Sequence, residues 1–225
     1  MRIVVLTGAG LSAESGLATF RASDGLWEQH RVEDVATPQA FRRDPALVMR
    51  FYDARRAGAA AAQPNPAHQA LARLSRQPGV TLITQNVDAL LDRAGAQEVI
   101  HMHGRLDSAL CGACGHRWPA PDRMPVGMAC PSCSSPEARP DIVWFGEMPY
   151  HMDRIEAALD RADLFAAIGT SGNVYPAAGF VDIAAMNGAE TVELNLAPTA
   201  PGRFDRVIEG PASRTVPEWV ASLID

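Results

Sequence analysis

The chain has 225 residues, of which 47% are hydrophobic, and its 20 basic and 26 acidic side chains give a net charge of −6. This length supports one sizeable core with room for a small insert, as expected for a soluble α/β protein. The acidic balance argues against specific nucleic-acid binding. No apolar run is long enough to cross a membrane or to act as a signal peptide, so we expect no membrane partner and a cytoplasmic location.

The first informative stretch is a short apolar run that ends at glycine. Ile3 to Thr7 predict a buried strand, and Gly8 and Gly10 let backbone amides approach a ligand closely. Ser12 to Leu17 predict the start of a helix whose positive end faces the same place, which would suit a diphosphate. Such a turn is weak evidence alone, because two structural glycines in a strand-to-helix turn explain it equally well.

The sequence after this turn differs from the fingerprint of hydride-transferring dehydrogenases. That fingerprint continues into a helix, a second strand and an acidic residue about 20 positions on. Here a loop-like segment with an arginine and two aromatic residues occupies Thr19 to Trp27. A dinucleotide used for other chemistry is therefore indicated.

The remaining chain alternates between helix and strand patterns. We predict helices at about Pro45 to Ala62, Pro66 to Arg76, Leu90 to Gly95, Asp153 to Arg161, Pro176 to Asn187 and Val216 to Ile224. Strands are predicted at Val80 to Thr84, Val99 to Gly104, Asp141 to Gly146, Leu164 to Ile168, Glu190 to Leu194 and Phe204 to Ile208. This alternation predicts a parallel, Rossmann-like sheet.

Two excursions from that pattern are expected to pack together as a smaller lobe. We therefore predict one domain, residues 1–225, whose large Rossmann-like part comprises 1–22, 64–105 and 141–225. The small lobe would contain a helical insert at 23–63 and a cysteine module at 106–140.

All four cysteines fall within that module, at Cys111, Cys114, Cys130 and Cys133. Two CxxC pairs separated by 15 residues are typical of a tetrahedral zinc ribbon. Two disulfides are the alternative, but nothing in the sequence points to secretion. Four thiolates leave no position for water, so we predict one structural zinc ion rather than a catalytic one.

Polar groups follow several predicted strands at their carboxyl ends, where doubly wound sheets bind ligands. They are Gly8 to Ser12, Gln85 to Asp88, His103, Gly169 to Ser171 and Asn195. Taken singly, these are explained as a hydrogen-bonded turn, a structural histidine or a helix cap. Their convergence predicts one functional site.

The combination closely resembles the sirtuins along essentially the whole chain. The shared motifs are Gly8-Ala-Gly-Leu-Ser, Gln85-Asn-Val-Asp, His101-Met-His-Gly, the four-cysteine module, Val143-Trp-Phe-Gly-Glu, Gly169-Thr-Ser and Asn195-Leu. Sirtuins are NAD-dependent protein lysine deacylases. The resemblance implies that NAD is consumed as a co-substrate, that acylated lysines of proteins bind as extended peptides, and that nicotinamide and O-acyl-ADP-ribose are released.

The resemblance also implies roles for individual residues. His103 matches the general base, and His101 is given a structural role. NAD would be bound by Gly8, Ala9, Gly10, Ser12, Glu14, Thr19, Phe20, Arg21, Trp27, Gln85, Asn86, Asp88, Gly169, Thr170, Ser171, Asn195, Leu196 and Ala212. The peptide would lie as an added strand against Val143, Trp144, Phe145 and Gly146 on one side and Gly172 to Val174 on the other.

A finer clue concerns the acyl group. Tyr52 and Arg55 are three residues apart and share one helix face, where a hydroxyl and a guanidinium fork can bind a carboxylate. Without context, such a pair is more often a surface feature. The Tyr-x-x-Arg pair resembles class III sirtuins, which remove succinyl and malonyl groups, and the small Ala36 fits their roomier pocket. We therefore expect acidic acyl-lysine to be favoured, with acetyl-lysine also accepted.

The chain departs from the family pattern at Ala89, Leu90 and Leu91, where a polar residue, a leucine and a histidine are frequent. We expect altered packing there rather than lost activity. Two other functions stay open from sequence alone. One is protein mono-ADP-ribosyl transfer at the same NAD site, and the other is a non-catalytic zinc-ribbon binding module. A monomer is expected.

Overall fold

The computed structural model describes residues 1–18, 30–199 and 202–224, together with the backbone of 26–27. Its centre is a six-stranded sheet formed by β1 (Ile3–Thr7), β4 (Val80–Thr84), β5 (Ile100–His101), β9 (Leu164–Ile168), β10 (Glu190–Asn195) and β11 (Arg206–Glu209). The strands lie in the order β11-β10-β9-β1-β4-β5, and every neighbouring pair is parallel. The predicted parallel sheet is confirmed.

Helices cover both faces of this sheet, which explains why its central strands carry apolar side chains on both faces. All five residues of β1 and all five of β9 are buried. One face packs against α5 (Pro66–Leu74) and α9 (Ala212–Ile224). The other packs against α7 (Met152–Leu159) and α8 (Phe180–Met186). A strand with no polar side must be buried on both faces, and this is the environment that the sequence predicts.

A second unit holds the helical insert and the cysteine module. Its helices are α2 (Val32–Val35), α3 (Pro38–Arg43) and α4 (Pro45–Ala61), and two-residue strands β2 (Leu26–Trp27) and β3 (His30–Arg31) precede them. An antiparallel sheet in the order β7-β6-β8 is formed by β6 (Gly104–Cys111), β7 (Arg117–Pro119) and β8 (Ala138–Ile142). Two short helices of the parallel part, α1 (Gly10–Ala13) and α6 (Leu90–Arg93), complete the elements.

A buried arginine joins α4 to the cysteine module. The Arg56 guanidinium pairs with Asp53 at 2.7 Å and donates to the Leu106 carbonyl at 2.7 Å. Asp53 in turn accepts from the Met124 amide at 3.1 Å. Because both partners are largely buried and hydrogen-bonded, this pair fixes the two parts of the small lobe relative to each other.

The structure differs from the predicted elements in several places. The strand expected at Val99 to Gly104 is only two residues long, Ile100–His101, and the chain enters β6 of the antiparallel sheet at Gly104, whose φ is +83°. The strand expected at Asp141 to Gly146 ends at Ile142 and belongs to the antiparallel sheet. The bounds predicted for the two lobes stay a prediction.

Several helices also start or end at residues other than the predicted ones. The helix expected from Ser12 is a single turn at Gly10–Ala13, ending before Gly16, whose φ is +86°. The helix expected from Pro176 starts with a 3₁₀ turn at Ala177–Gly179, and the last helix begins at Ala212 rather than at Val216. Within the described ranges, no helix is both long and apolar enough to span a membrane.

Candidate active site

A cavity of about 410 Å³ opens at the carboxyl ends of the parallel strands, where the small lobe faces them. The loops after β1, β4, β9 and β10 contribute Gly8, Ala9, Gly10, Ser12, Gln85, Asn86, Asp88, Gly169, Thr170, Ser171, Asn195 and Leu196. The opposite wall contains Ala36, Tyr52, Arg55, Val143, Trp144, Phe145 and Gly146, and the lining also includes His103 and, after β9, Val174. Most residues predicted from distant parts of the sequence therefore meet in one place.

Two of the strand-end loops touch backbone to backbone. The Gly10 amide donates to the Gly169 carbonyl at 2.8 Å, and the Gly8 amide donates to the Ile168 carbonyl at 2.9 Å. A Cβ atom on Gly10 would lie 2.7 Å from the Gly169 Cα, and Gly169 has a φ of +61°. These glycines are thus required by the contact between the loops as well as by any approach of a ligand.

The single-turn α1 changes the expected role of the helix dipole. The amides of Gly10, Leu11 and Ser12 donate to carbonyls of this chain. One turn also carries little macrodipole. The predicted helix from Ser12 to Leu17 is therefore wrong in its extent, and diphosphate binding by this segment stays a prediction.

Ser12 is the centre of a buried hydrogen-bond network. Its hydroxyl donates to the Asp88 carboxylate at 3.0 Å and accepts from the Asn86 side-chain amide at 3.2 Å. His68 Nε2 lies 3.3 Å from the same oxygen. The Asn65 amide donates to His68 Nδ1 at 3.2 Å, so Nε2 carries the hydrogen and donates to Ser12. The network thus fixes the side chains that face the cavity.

His68 is a residue that sequence analysis missed. It is fully buried, and burial lowers its pKa to about 4, so it is neutral at physiological pH. Burial also raises the pKa of Asp88, against the hydrogen bonds from Leu90 and Ser12 that lower it. The spacing of Asn65 and His68, which form a capping box at the start of α5, is the signal that could have identified this position.

His103 is oriented by the loop after β4. Its Nδ1 lies 3.2 Å from the Gln85 carbonyl oxygen, which can only accept, so Nδ1 carries the hydrogen. The lone pair of the neutral ring is then on Nε2. Burial lowers the pKa of His103, although the hydrogen bond to Gln85 opposes this shift. The arrangement can accept a proton at neutral pH.

His101 is in a different environment. Its Nε2 lies 3.0 Å from Asp92 Oδ2, and the ring is buried outside the cavity lining. Leu90 and Leu91, two of the departures from the sirtuin pattern, are buried in the core and do not line the cavity either. These positions contribute to packing.

The far wall of the cavity carries the pair expected to select the acyl group. Tyr52 and Arg55 both line it, as does Ala36. Tyr52 is fully buried, and its hydroxyl oxygen accepts from Trp144 Nε1 at 3.1 Å. The interpretation of these two residues as ordinary surface side chains is therefore wrong, because neither projects into open solvent.

The loop after β8 uses its amides within the chain. Val143 donates to the His103 carbonyl at 2.9 Å, and Phe145 donates to the Ala36 carbonyl at 3.0 Å. The Trp144 amide donates to the Glu147 carboxylate at 2.8 Å. A peptide strand added here would have to use carbonyl oxygens of this loop rather than these three amides.

Some predicted ligands lie elsewhere. The Glu14 carboxylate accepts from the amide and the hydroxyl of Ser213 at 2.9 and 2.7 Å, which caps the first turn of α9. Glu14, Ala212 and Gly172 are not among the residues that line the cavity. Thr19, Phe20, Arg21 and the side chain of Trp27 lie outside the described residues.

Several lining residues were not predicted. They are Ala13, Leu17, Ala18, Val87, Ile142, Glu147, Pro149 and Tyr175. Most are neighbours of predicted residues, so a wider window around each motif would have included them. Tyr175 directly follows the predicted Val174, so such a window would have included it as well.

The four cysteines cluster at the far end of the small lobe. Their Sγ atoms all lie within 4.8 Å of one another, with Cys111 and Cys133 3.6 Å apart and Cys114 and Cys130 3.8 Å apart. A tetrahedral zinc ion with Zn–S bonds of about 2.3 Å sets its sulfurs about 3.8 Å apart. The donor set fits one zinc ion, and these separations exclude disulfides.

Comparison with known proteins agrees with the geometry. The model of the Sir2 family matches residues 8–176. An NAD-dependent protein deacylase of Bdellovibrio bacteriovorus is 53% identical over 99% of this chain and 97% of its own length. A solved complex of a Sir2 homologue with NAD superposes with a TM-score of 0.89 at 41% identity, covering 99% of this chain and 89% of the other. A Sir2 complex with a p53 peptide and NAD⁺ has a TM-score of 0.80 at 29% identity over 99% of this chain and 92% of its own. The chain belongs to the Sir2 family.

Proposed function

We propose that this chain is an NAD-dependent protein lysine deacylase with a preference for acidic acyl groups. The observation that carries this function is the position of His103. Its ring lines the same cavity as the loops at Gly8 to Gly10 and Gly169 to Ser171 and as the Tyr52 and Arg55 pair. A candidate base, candidate nucleotide-binding loops and a candidate carboxylate-binding pair therefore line the same cavity.

NAD, when bound, supplies an electrophilic ribose carbon and a nicotinamide leaving group. The residues proposed to hold its diphosphate, ribose and adenine are those named above in the loops after β1, β9 and β10. Asn86 and Asp88 would line the nicotinamide pocket, and their connection through Ser12 supports a rigid wall there. His103 would accept a proton from a ribose hydroxyl through Nε2.

The acyl group would lie against the small lobe. Tyr52 keeps its hydroxyl hydrogen because burial raises its pKa, and the Arg55 guanidinium supplies positive charge. A phenol and a guanidinium together bind a carboxylate by charge-assisted hydrogen bonds. Ala36 leaves space for the longer chain of a succinyl group.

The test of this function compares one peptide carrying acetyl-, malonyl- or succinyl-lysine, with release of nicotinamide as the readout. We expect release to require NAD and peptide together and kcat/KM to be highest for the acidic acyl groups. No release with any of the three peptides would contradict the deacylase function. Equal rates on all three would contradict the acidic preference alone.

The acyl pocket is tested by Arg55→Met. We expect it to reduce kcat/KM on the succinyl peptide by about 100-fold, since a hydrogen-bonded charge pair contributes about 1.5–3 kcal/mol, and to change the acetyl rate little. Arg50→Met, an exposed arginine of the same helix, is the matched control. Equal losses on the two peptides in Arg55→Met would refute the assignment.

The proposed setting is the cytoplasm, with the protein as a monomer. All four cysteines are free thiols grouped for a metal ion, which suits a reducing compartment. Its substrates would be acylated lysines on extended segments of other proteins.

A further inference from the structure

Trp144 connects the peptide-facing loop to the acyl pocket. Its indole Nε1 donates to the Tyr52 hydroxyl oxygen at 3.1 Å, although the two residues are 92 positions apart. Both side chains line the cavity, and Trp144 is only 2% exposed. This bond is thus shielded from water, and in such a low-dielectric environment a single hydrogen bond has a larger influence on side-chain orientation than it has in water.

The indole ring is itself held by a charged pair. The Arg139 guanidinium carbon lies 3.7 Å from the centre of the Trp144 ring, which is a close cation–π contact. Arg139 pairs with Glu147 through two bonds of 2.7 and 2.8 Å. The same carboxylate accepts the Trp144 amide at 2.8 Å. Glu147 therefore positions the backbone of Trp144 directly and its ring through Arg139.

This arrangement constrains the Tyr52 hydroxyl. A phenol O–H lies in the plane of its ring and has two positions. An N–H that points at the oxygen from one side favours the hydroxyl hydrogen on the other side, because two donors repel each other. Trp144 can therefore select one of two orientations of the group that would donate to a ligand.

We propose that Trp144 is a positioning residue for the recognition of acidic acyl groups, which orients the Tyr52 hydroxyl to donate to the acyl carboxylate, with Glu147 and Arg139 holding Trp144 in place. This role rests on the proposed function of the pocket. Acetyl-lysine has no carboxylate to receive that hydrogen bond. The orientation of Tyr52 therefore affects succinyl and malonyl substrates selectively.

A purely structural role of Trp144 has different consequences. If the indole only filled space in the core formed with Tyr52, Val35 and Phe51, its replacement would disturb all substrates alike. The ratio of succinyl to acetyl kcat/KM distinguishes the two roles, and so does whether the substitution changes KM or kcat.

The test is Trp144→Phe, which removes the indole N–H but keeps an aromatic face for Arg139. We expect the ratio of succinyl to acetyl kcat/KM to fall about tenfold, the size of one hydrogen bond to a charged group, mainly through a higher KM for the succinyl peptide. Trp118→Phe, in β7 and away from the cavity, is the control for loss of a tryptophan from the small lobe. A parallel loss on both peptides, or no loss, would overturn the role.

Two further variants keep the test decisive. Glu147→Gln weakens the pairing with Arg139 but still accepts the Trp144 amide. It should shift the succinyl-to-acetyl ratio of kcat/KM in the same direction by about threefold. An unchanged ratio would contradict the role even if Trp144→Phe failed to fold.

Tyr52→Phe separates this role from the proposed function. One outcome is that the wild type favours the succinyl peptide, that Tyr52→Phe loses this preference and that Trp144→Phe retains it. In that case the role of Trp144 is wrong and the acidic preference stands. If the wild type shows no succinyl preference, the proposed pocket function fails and this role fails with it.

Discussion

His103 and His68 show how two histidines of one site acquire different chemical roles from their partners. The hydrogen bond from Nδ1 to the Gln85 carbonyl leaves the Nε2 lone pair of His103 for proton transfer. His68 has the opposite tautomer, because the Asn65 amide occupies its Nδ1. It donates to Ser12 and, with a pKa of about 4, it stays neutral and takes up no proton near pH 7.

The environment of His103 predicts the pH dependence of the reaction. Burial lowers the pKa of His103 below its usual 6.5. A base works when it is neutral, so kcat/KM should be constant near pH 7 and fall on acidification, with an acid limb whose pKa is below 6.5. The measurement is the pH profile of nicotinamide release at low substrate.

His151→Asn is the matched control for that profile. His151 is exposed and has a φ of +61°, a conformation that asparagine tolerates, so the acid limb should not move. His103→Ala should abolish turnover across the range. An acid limb at or above pH 7 in the wild type would contradict the assigned environment.

At the scale of elements, the contact between the loops after β1 and β9 shapes the side of the cavity where we propose that NAD binds. Gly10→Ala would place a Cβ 2.7 Å from the Gly169 Cα, so the loops would have to separate. We expect a loss of about 1–3 kcal/mol in the free energy of unfolding, measured by denaturant titration, together with weaker NAD binding by calorimetry.

Gly58→Ala is the control for that substitution. Gly58 lies inside α4, and apart from its chain neighbours and the backbone of its own helix, none of the described residues has an atom within 4 Å of an added Cβ. Alanine should therefore raise the free energy of unfolding by about 0.5–1 kcal/mol. If Gly10→Ala behaved like Gly58→Ala, the close approach of the two loops would be wrong.

The elements that could be predicted from the sequence are those whose patterns are local. β1, β4 and β9 have the predicted bounds, because continuous apolar runs between turn residues describe a strand buried on both faces. The cysteine spacing predicted the metal cluster for the same reason. Neither the apolar runs nor the cysteine spacing depends on contacts with residues that are distant in the sequence.

What could not be predicted depends on tertiary contacts. Val143 to Gly146 are apolar like a strand, but the amides of Val143, Trp144 and Phe145 bond to His103, Glu147 and Ala36, and no strand forms there. The bond between Trp144 and Tyr52 joins residues 92 positions apart. Neither the loop after β8 nor this hydrogen bond leaves a periodic pattern in the sequence from which it could be predicted.

At the scale of the whole molecule, the cavity exists because two units of different architecture face each other. The parallel sheet supplies strand-end loops and His103, α4 supplies Tyr52 and Arg55, and the end of β8 with the loop after it supplies residues from Ile142 to Glu147. The zinc cluster is not part of the cavity lining. Through β6 and the pair of Arg56 and Asp53, its module is nevertheless joined to α4, which carries Tyr52 and Arg55.

The most direct test of the central claim is to follow where the ADP-ribose of NAD goes. Wild-type protein is incubated with NAD labelled in the adenylate part and a succinyl-lysine peptide, and the small molecules and the protein are separated and weighed by mass spectrometry. We predict one nicotinamide and one O-succinyl-ADP-ribose for each lysine freed, with no label on protein. Label attached to the protein or the peptide, with the succinyl group still on lysine, would contradict deacylation and would instead support mono-ADP-ribosyl transfer.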